Sequence, residues 1–170
     1  MNKYLGSAYQ FGGIGGVLSV VAFAILSFLR SDPTNLSLIF GYVITPISLF
    51  LAIKFYKEST NQGYLSFAEG MSIGFVTYCL IAIISGIGIW MILLFSPILF
   101  EEIKLSKLEV VEQNKETIMS QMGENSFETT LFSVQNMIPW DVAFNDAIWK
   151  VIPGLFFTII ISIILRKNPD

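Results

Sequence analysis

The side chains able to do chemistry in this sequence are few and far apart. Asp146 and Lys150 stand four residues apart, the interval that sets an acid and a base side by side on one helix face with the acid toward the N-terminus. Glu69 adjoins a long apolar run, and Lys54 and Lys57 close the run before it, which makes Lys54 the candidate partner of Glu69. Ionisable groups within apolar segments are where ion sites and proton relays are built. A structural reading competes in both cases and is preferred here. Asp146 and Lys150 are expected to be a partly solvated pair at a membrane boundary, contributing about 0.3–0.5 kcal/mol. Glu69 is expected to serve as a first-turn acid, favoured by the helix dipole and by free backbone N–H groups.

Other chemistry lacks its parts. The chain has no histidine and a single cysteine, Cys79, so neither a disulfide nor the usual imidazole and thiolate zinc sites can be assembled. Intramembrane hydrolysis needs a nucleophile with an activating base or a pair of acids, and Asp146 has no second membrane-embedded aspartate. Cys79 is expected to be inert packing. No enzyme activity, metal or cofactor is therefore expected.

The elements that must position these residues follow from composition. Of 170 residues, 54% are apolar and 14% charged, against about 25% charged in soluble domains. The net charge of −3 provides no basic field for nucleic acid. A bilayer core of about 30 Å needs roughly 20 apolar helical residues, and four runs meet or approach this: about 8–29, 36–56, 70–95 and 142–165. The first two are separated by Arg30, Ser31, Asp32, Pro33, Thr34 and Asn35, so the chain must reverse at once into an antiparallel hairpin. The fourth reaches spanning length only by including Asn145, Asp146 and Lys150. Trp90, Trp140 and Trp149 are placed as interfacial anchors, and Arg166 and Lys167 as the stop at the other surface. Pro46 and Pro153 are expected to kink their helices. The first run is too long for a signal-peptide core, and a second span follows it closely. The fold expected is an all-α integral membrane bundle of four transmembrane helices in two hairpins.

Residues 96–141 form the one substantial extramembrane segment, rich in acids. Ser96 and Pro97 read as a helix start, with the helix running to about Met122 and stopping at Gly123. Glu101 with Lys104 and Glu112 with Lys115 are expected to pair on its solvated face. A second short helix is expected from about Phe127 to Met137. Four spans place both termini on one side. Lys3, Lys54, Lys57, Arg166 and Lys167 on that side balance Arg30, Lys104, Lys107, Lys115 and Lys150 on the other. Both termini are placed inside, because the first five lie in short segments near the boundaries.

Gly12 and Gly16 in the first run, and Gly70 and Gly74 in the third, make small-xxx-small patterns that Ala82 and Gly86 continue. Helices in lipid associate by close packing, which small residues permit. Packing of the first span on the third is the expected use, and docking of another subunit the sharper one.

One stretch is distinctive: Lys54-Phe55-Tyr56-Lys57, then Asn61-Gln62-Gly63-Tyr64-Leu65-Ser66-Phe67-Ala68-Glu69-Gly70 with Gly74. Ser66 and Glu69 have the capping-box spacing. With the polar helix after Pro97 and the closing helix ending at Arg166 and Lys167, the sequence resembles an uncharacterised family of small four-span membrane proteins, domain of unknown function 4199, found mostly in Bacteroidota. That resemblance implies a bacterial inner-membrane location and assigns no activity. The function expected is an accessory or scaffold subunit that meets lipid and binds other membrane or envelope proteins, or itself as an oligomer. The alternative is a small transporter or channel subunit using Pro46, Pro153 and the Glu69 region.

Overall fold

The computed structural model describes residues 4–29 and 33–168, and among these the chain is helical almost throughout. Helix α1 spans Leu5–Phe28 and α2 Pro33–Phe55, the latter running on into a π-helical turn at Tyr56–Thr60. Helix α3 spans Phe67–Phe95, α4 Pro97–Gln113, α5 Lys115–Met122, α6 Glu124–Gln135 and α7 Pro139–Leu165. Four of them, α1, α2, α3 and α7, are long and apolar enough to cross a membrane. Lys3, Arg30, Ser31 and Asp32, assigned above to the terminus and the first turn, lie outside the described residues.

The four long helices close into a ring in the order α1, α2, α7, α3, with α2 and α3 also meeting across it. The ring is sorted as a membrane bundle must be. Large apolar side chains such as Val17, Ile47, Phe75, Ile83, Phe156 and Ile164 face outward, while Ser19, Thr45, Thr77, Ser85, Thr158 and Ser162 are buried. A solvent of lipid leaves the outer face no penalty for apolar exposure and drives packing through small residues within. Two apolar clusters fill the interior. One, around Leu49, Ile53, Tyr56, Ile73 and Tyr78, lies toward the termini; the other, around Phe23, Ile89, Leu93, Phe100 and Val142, lies toward the extramembrane helices.

The glycine patterns serve two different contacts. A Cβ at Gly12 would stand 3.0 Å from Leu80 Cβ, and one at Gly16 2.7 Å from Ile84 Cβ, so this pair seats α1 on α3. Gly70 and Gly74 face α7 instead of α1. A Cβ at Gly70 would stand 2.6 Å from Ser162 Oγ, one at Gly74 would overlap Thr158, and one at Gly86 would lie 3.5 Å from Ala147 Cβ. The expectation that all these glycines join the first and third spans is thus corrected: Gly12 and Gly16 give α1 a small-residue face against Leu80 and Ile84 of α3, and Gly70, Gly74 and Gly86 give α3 one against α7.

The extramembrane helices differ from expectation in detail. The long helix predicted to reach Met122 breaks at Asn114, whose Nδ2 turns back to donate to Val110 O at 2.8 Å. Such self-bonding by asparagine competes with helix continuation. Ser96 makes no side-chain cap; Pro97 at the first position suffices to start α4. The expected pairs Glu101–Lys104 and Glu112–Lys115 do not form. Lys115 lies over the Phe127 ring at 5.3 Å, which ties α5 to α6.

Candidate functional site

Helix α7 begins three residues earlier than the sequence reading placed it. Pro139 occupies its first turn, and Asp141 Oδ2 accepts from the backbone N–H of Ile138 at 2.8 Å. At about 1.5 Å per residue, Asp146 then lies about 10 Å and Lys150 about 16 Å along the helix from Pro139. Both face the bundle interior. Lys150 is 1% exposed and Asp146 6%.

The partly solvated boundary pair expected above is therefore corrected to a buried ion pair. Lys150 Nζ donates to Asp146 Oδ2, Ser85 Oγ on α3 donates to the same oxygen at 3.3 Å, and Ser37 Oγ on α2 donates to Oδ1 at 3.4 Å. The pair fits because its neighbours are small: a Cβ at Gly41 on α2 would stand 3.1 Å from Lys150 Cε. Trp149, placed as an interfacial anchor, sits at the level of this pair and faces outward, whereas Trp90 and Trp140 stack edge-to-face at 6.0 Å near the extramembrane end.

A cavity of about 540 Å³ reaches Asp146 from the extramembrane side. Phe23, Leu38, Phe132, Met137 and Val142 make much of its wall apolar, and Thr34, Lys107, Asn145 and Asp146 are among its polar lining residues. Toward the termini the described residues pack closely. Gly154 lies against Tyr78, where a Cβ would meet the ring at 2.9 Å, and the apolar cluster around Leu49 and Ile73 fills the space beyond.

Glu69 organises the opposite end. Its Oε1 accepts from Tyr56 Oη at 2.9 Å, and its Oε2 from the Ser66 backbone N–H at 2.9 Å and from Ser66 Oγ at 3.0 Å. The Glu69 N–H in turn donates to Ser66 Oγ at 3.2 Å, completing a capping box. Asn61 Nδ2 adds a longer bond to each oxygen. Lys54 is not the partner: its ammonium lies 3.9 Å from Glu58 on the exposed face. The same loop is stitched to the end of α7 by reciprocal backbone bonds between Leu65 and Lys167 at 2.8 and 2.9 Å.

Of the candidate ionisable residues, the structure unites Asp146 with Lys150 and separates Lys54 from Glu69. Sequence reading missed Ser37, Gly41 and Ser85 around the pair, and Tyr56 beside Glu69. Ser37 and Gly41 are four apart and so share a helix face, a small-residue signal like those recognised elsewhere. Cys79 is a half-buried free thiol beside an apolar groove between α3 and α7.

Residues 10–167 match the model of a family described as protein of unknown function, DUF4199. The chain belongs to that family. The match takes in the buried pair, the Glu69 capping box and nearly all of the four long helices. No curated protein and no solved structure matches the chain.

Proposed function

We propose that this DUF4199 protein is a small non-enzymatic transport subunit of the bacterial inner (cytoplasmic) membrane, with both termini cytoplasmic, that handles a small charged species at Asp146 and Lys150. One observation carries the reading: an ion pair inside a membrane bundle, with a cavity at the extramembrane end whose wall includes Asp146. Burying two charges costs more than a well-packed apolar pair of similar volume. Such a pair within a span is accordingly a functional site before it is a stabilising one. Transport of a charged species needs ionisable side chains within the spans, and the burial of Asp146 and Lys150 in the bundle supports the reading on that point. Glu69, by contrast, is occupied in holding its loop.

A second reading, an accessory or scaffold subunit, is favoured by the helices α4 to α6, which expose Leu105, Val110 and Phe132 among their acids. Its partners would be other membrane proteins or a second copy, in addition to lipid.

Charge movement distinguishes the two. Proteoliposomes adsorbed on a sensor are challenged with jumps of proton, sodium, potassium and chloride. The transport reading expects a transient current for at least one of these, lost in Lys150→Met. Silence to all four, with co-purification of a defined membrane partner through α4 to α6, overturns it in favour of the scaffold.

A further inference from the structure

We infer that the cavity beside Asp146 binds an organic zwitterion with an apolar side chain, a free amino acid or a short peptide, its ammonium turned to α7 and its carboxylate to α4. The inference rests on the reading of the buried pair as a functional centre and names the class of charged species met there.

The charged groups around the cavity are divided between its walls. Helix α7 contributes Asp141 and Asp146, and α4 contributes Lys107. Lys107 is half-buried, yet among the described residues no carboxylate lies within ion-pair distance of its ammonium. Opposite charges therefore border one space without meeting across it. A ligand that carries both charges, held apart by its own covalent frame, completes each wall with the partner that wall lacks. On α7, Asp141 spends Oδ2 on the Ile138 N–H, which leaves Oδ1 for an ammonium. Asp146 accepts from three donors, and a carboxylate offers about four lone-pair sites, so it can take one further N–H without releasing Lys150. Asn145 stands on the same wall, and its amide has no hydrogen-bond partner among the described residues.

The remaining wall decides the body of the ligand. Phe23, Leu38, Met137 and Val142 make it apolar, with the Phe132 ring on the α6 side. A bare inorganic ion would meet these groups stripped of hydration, with no oxygen to replace the lost water. An apolar side chain gains by being covered there. The volume of about 540 Å³ falls within the range of about 300–1,000 Å³ found for sites that hold small organic ligands.

Isothermal titration calorimetry of the full chain in mild detergent tests this, with phenylalanine and leucyl-leucine as probes. Each is compared with its N-acetyl form, which lacks the ammonium, and with its methyl ester, which lacks the carboxylate. The expected result is saturable binding of at least one probe, weakened tenfold or more in both blocked forms; the tighter of the two probes names the source, free amino acid or peptide. In Lys107→Met the free acid and its methyl ester should bind alike, whereas Lys107→Arg should keep the preference for the free acid. The blocked probes act on the parent protein, so that arm needs no variant to fold. No saturable binding of either probe overturns the assignment. So does a blocked form that binds as tightly as the zwitterion, or a preference for the free acid that persists in Lys107→Met. Calorimetry reads occupancy and the sensor currents read movement. Zwitterion binding without current would sink transport alone, and current without zwitterion binding would sink this assignment alone.

Discussion

The backbone of Gly41 on α2 lies directly against the side chain of Lys150 on α7, so close that a single added carbon would stand 3.1 Å from Lys150 Cε. This contact is what lets a lysine lie within a packed interior with its ammonium directed at Asp146. Gly41→Val is expected to displace that side chain and to lower stability by about 1–3 kcal/mol, as overpacking does. Thermal melting of the purified protein in mild detergent measures it; an unchanged melting temperature would mean that the lysine relocates freely.

The ion pair should behave as a unit. Lys150→Met alone leaves the Asp146 carboxylate without its cation among buried groups, at a cost of about 3–5 kcal/mol. Adding Asp146→Leu removes the stranded charge and should recover most of that loss. A double variant no more stable than Lys150→Met would show that the pair is needed for the fold itself, which the double-variant cycle is designed to reveal.

Ser66→Ala removes the reciprocal cap of α3 and is expected to lower stability by about 1 kcal/mol. Tyr56→Phe keeps the ring, which is fully buried, but deletes a hydrogen bond to a carboxylate, with an expected cost of about 1.5–3 kcal/mol. Melting curves of both in the same detergent provide the comparison. A Tyr56→Phe protein that melts like the parent would show that other donors satisfy Glu69 without the phenol.

Glycines on α1 and α3 should divide by what lies opposite. Gly74→Val would drive methyl groups into Thr158 and is expected to destabilise by about 1–3 kcal/mol. Gly13 has nothing within 4 Å of an added Cβ, so Gly13→Ala should leave stability unchanged or raise it by about 0.4–1 kcal/mol through the unfolded chain. Equal effects at the two sites would contradict the packing of α3 on α7.

Much of the architecture was legible along the chain. Apolar runs near the bilayer length, with turn residues between the first two, specify four long helices because only a helix satisfies its backbone hydrogen bonds within a single segment of about 20 residues in lipid. The capping box at Ser66 and Glu69 was also legible, since it depends on a three-residue spacing within one turn of chain. The break at Asn114 was missed because a side chain bonding its own backbone leaves no periodic mark.

Tertiary structure alone decided what the charged residues do. The four-residue spacing of Asp146 and Lys150 is the same for a pair on the surface and a pair in the interior. The difference comes from Ser37 and Gly41 on α2 and Ser85 on α3, residues 109 and 61 positions from Asp146 for the two serines, whose small volumes open a polar space where three helices converge. In the same way the side of α3 that meets α7 was hidden, because small residues announce close approach without naming the helix that approaches. Local spacing determines which face of a helix a residue occupies; only the arrangement of helices around the ring determines whether that face meets lipid, water or a neighbour.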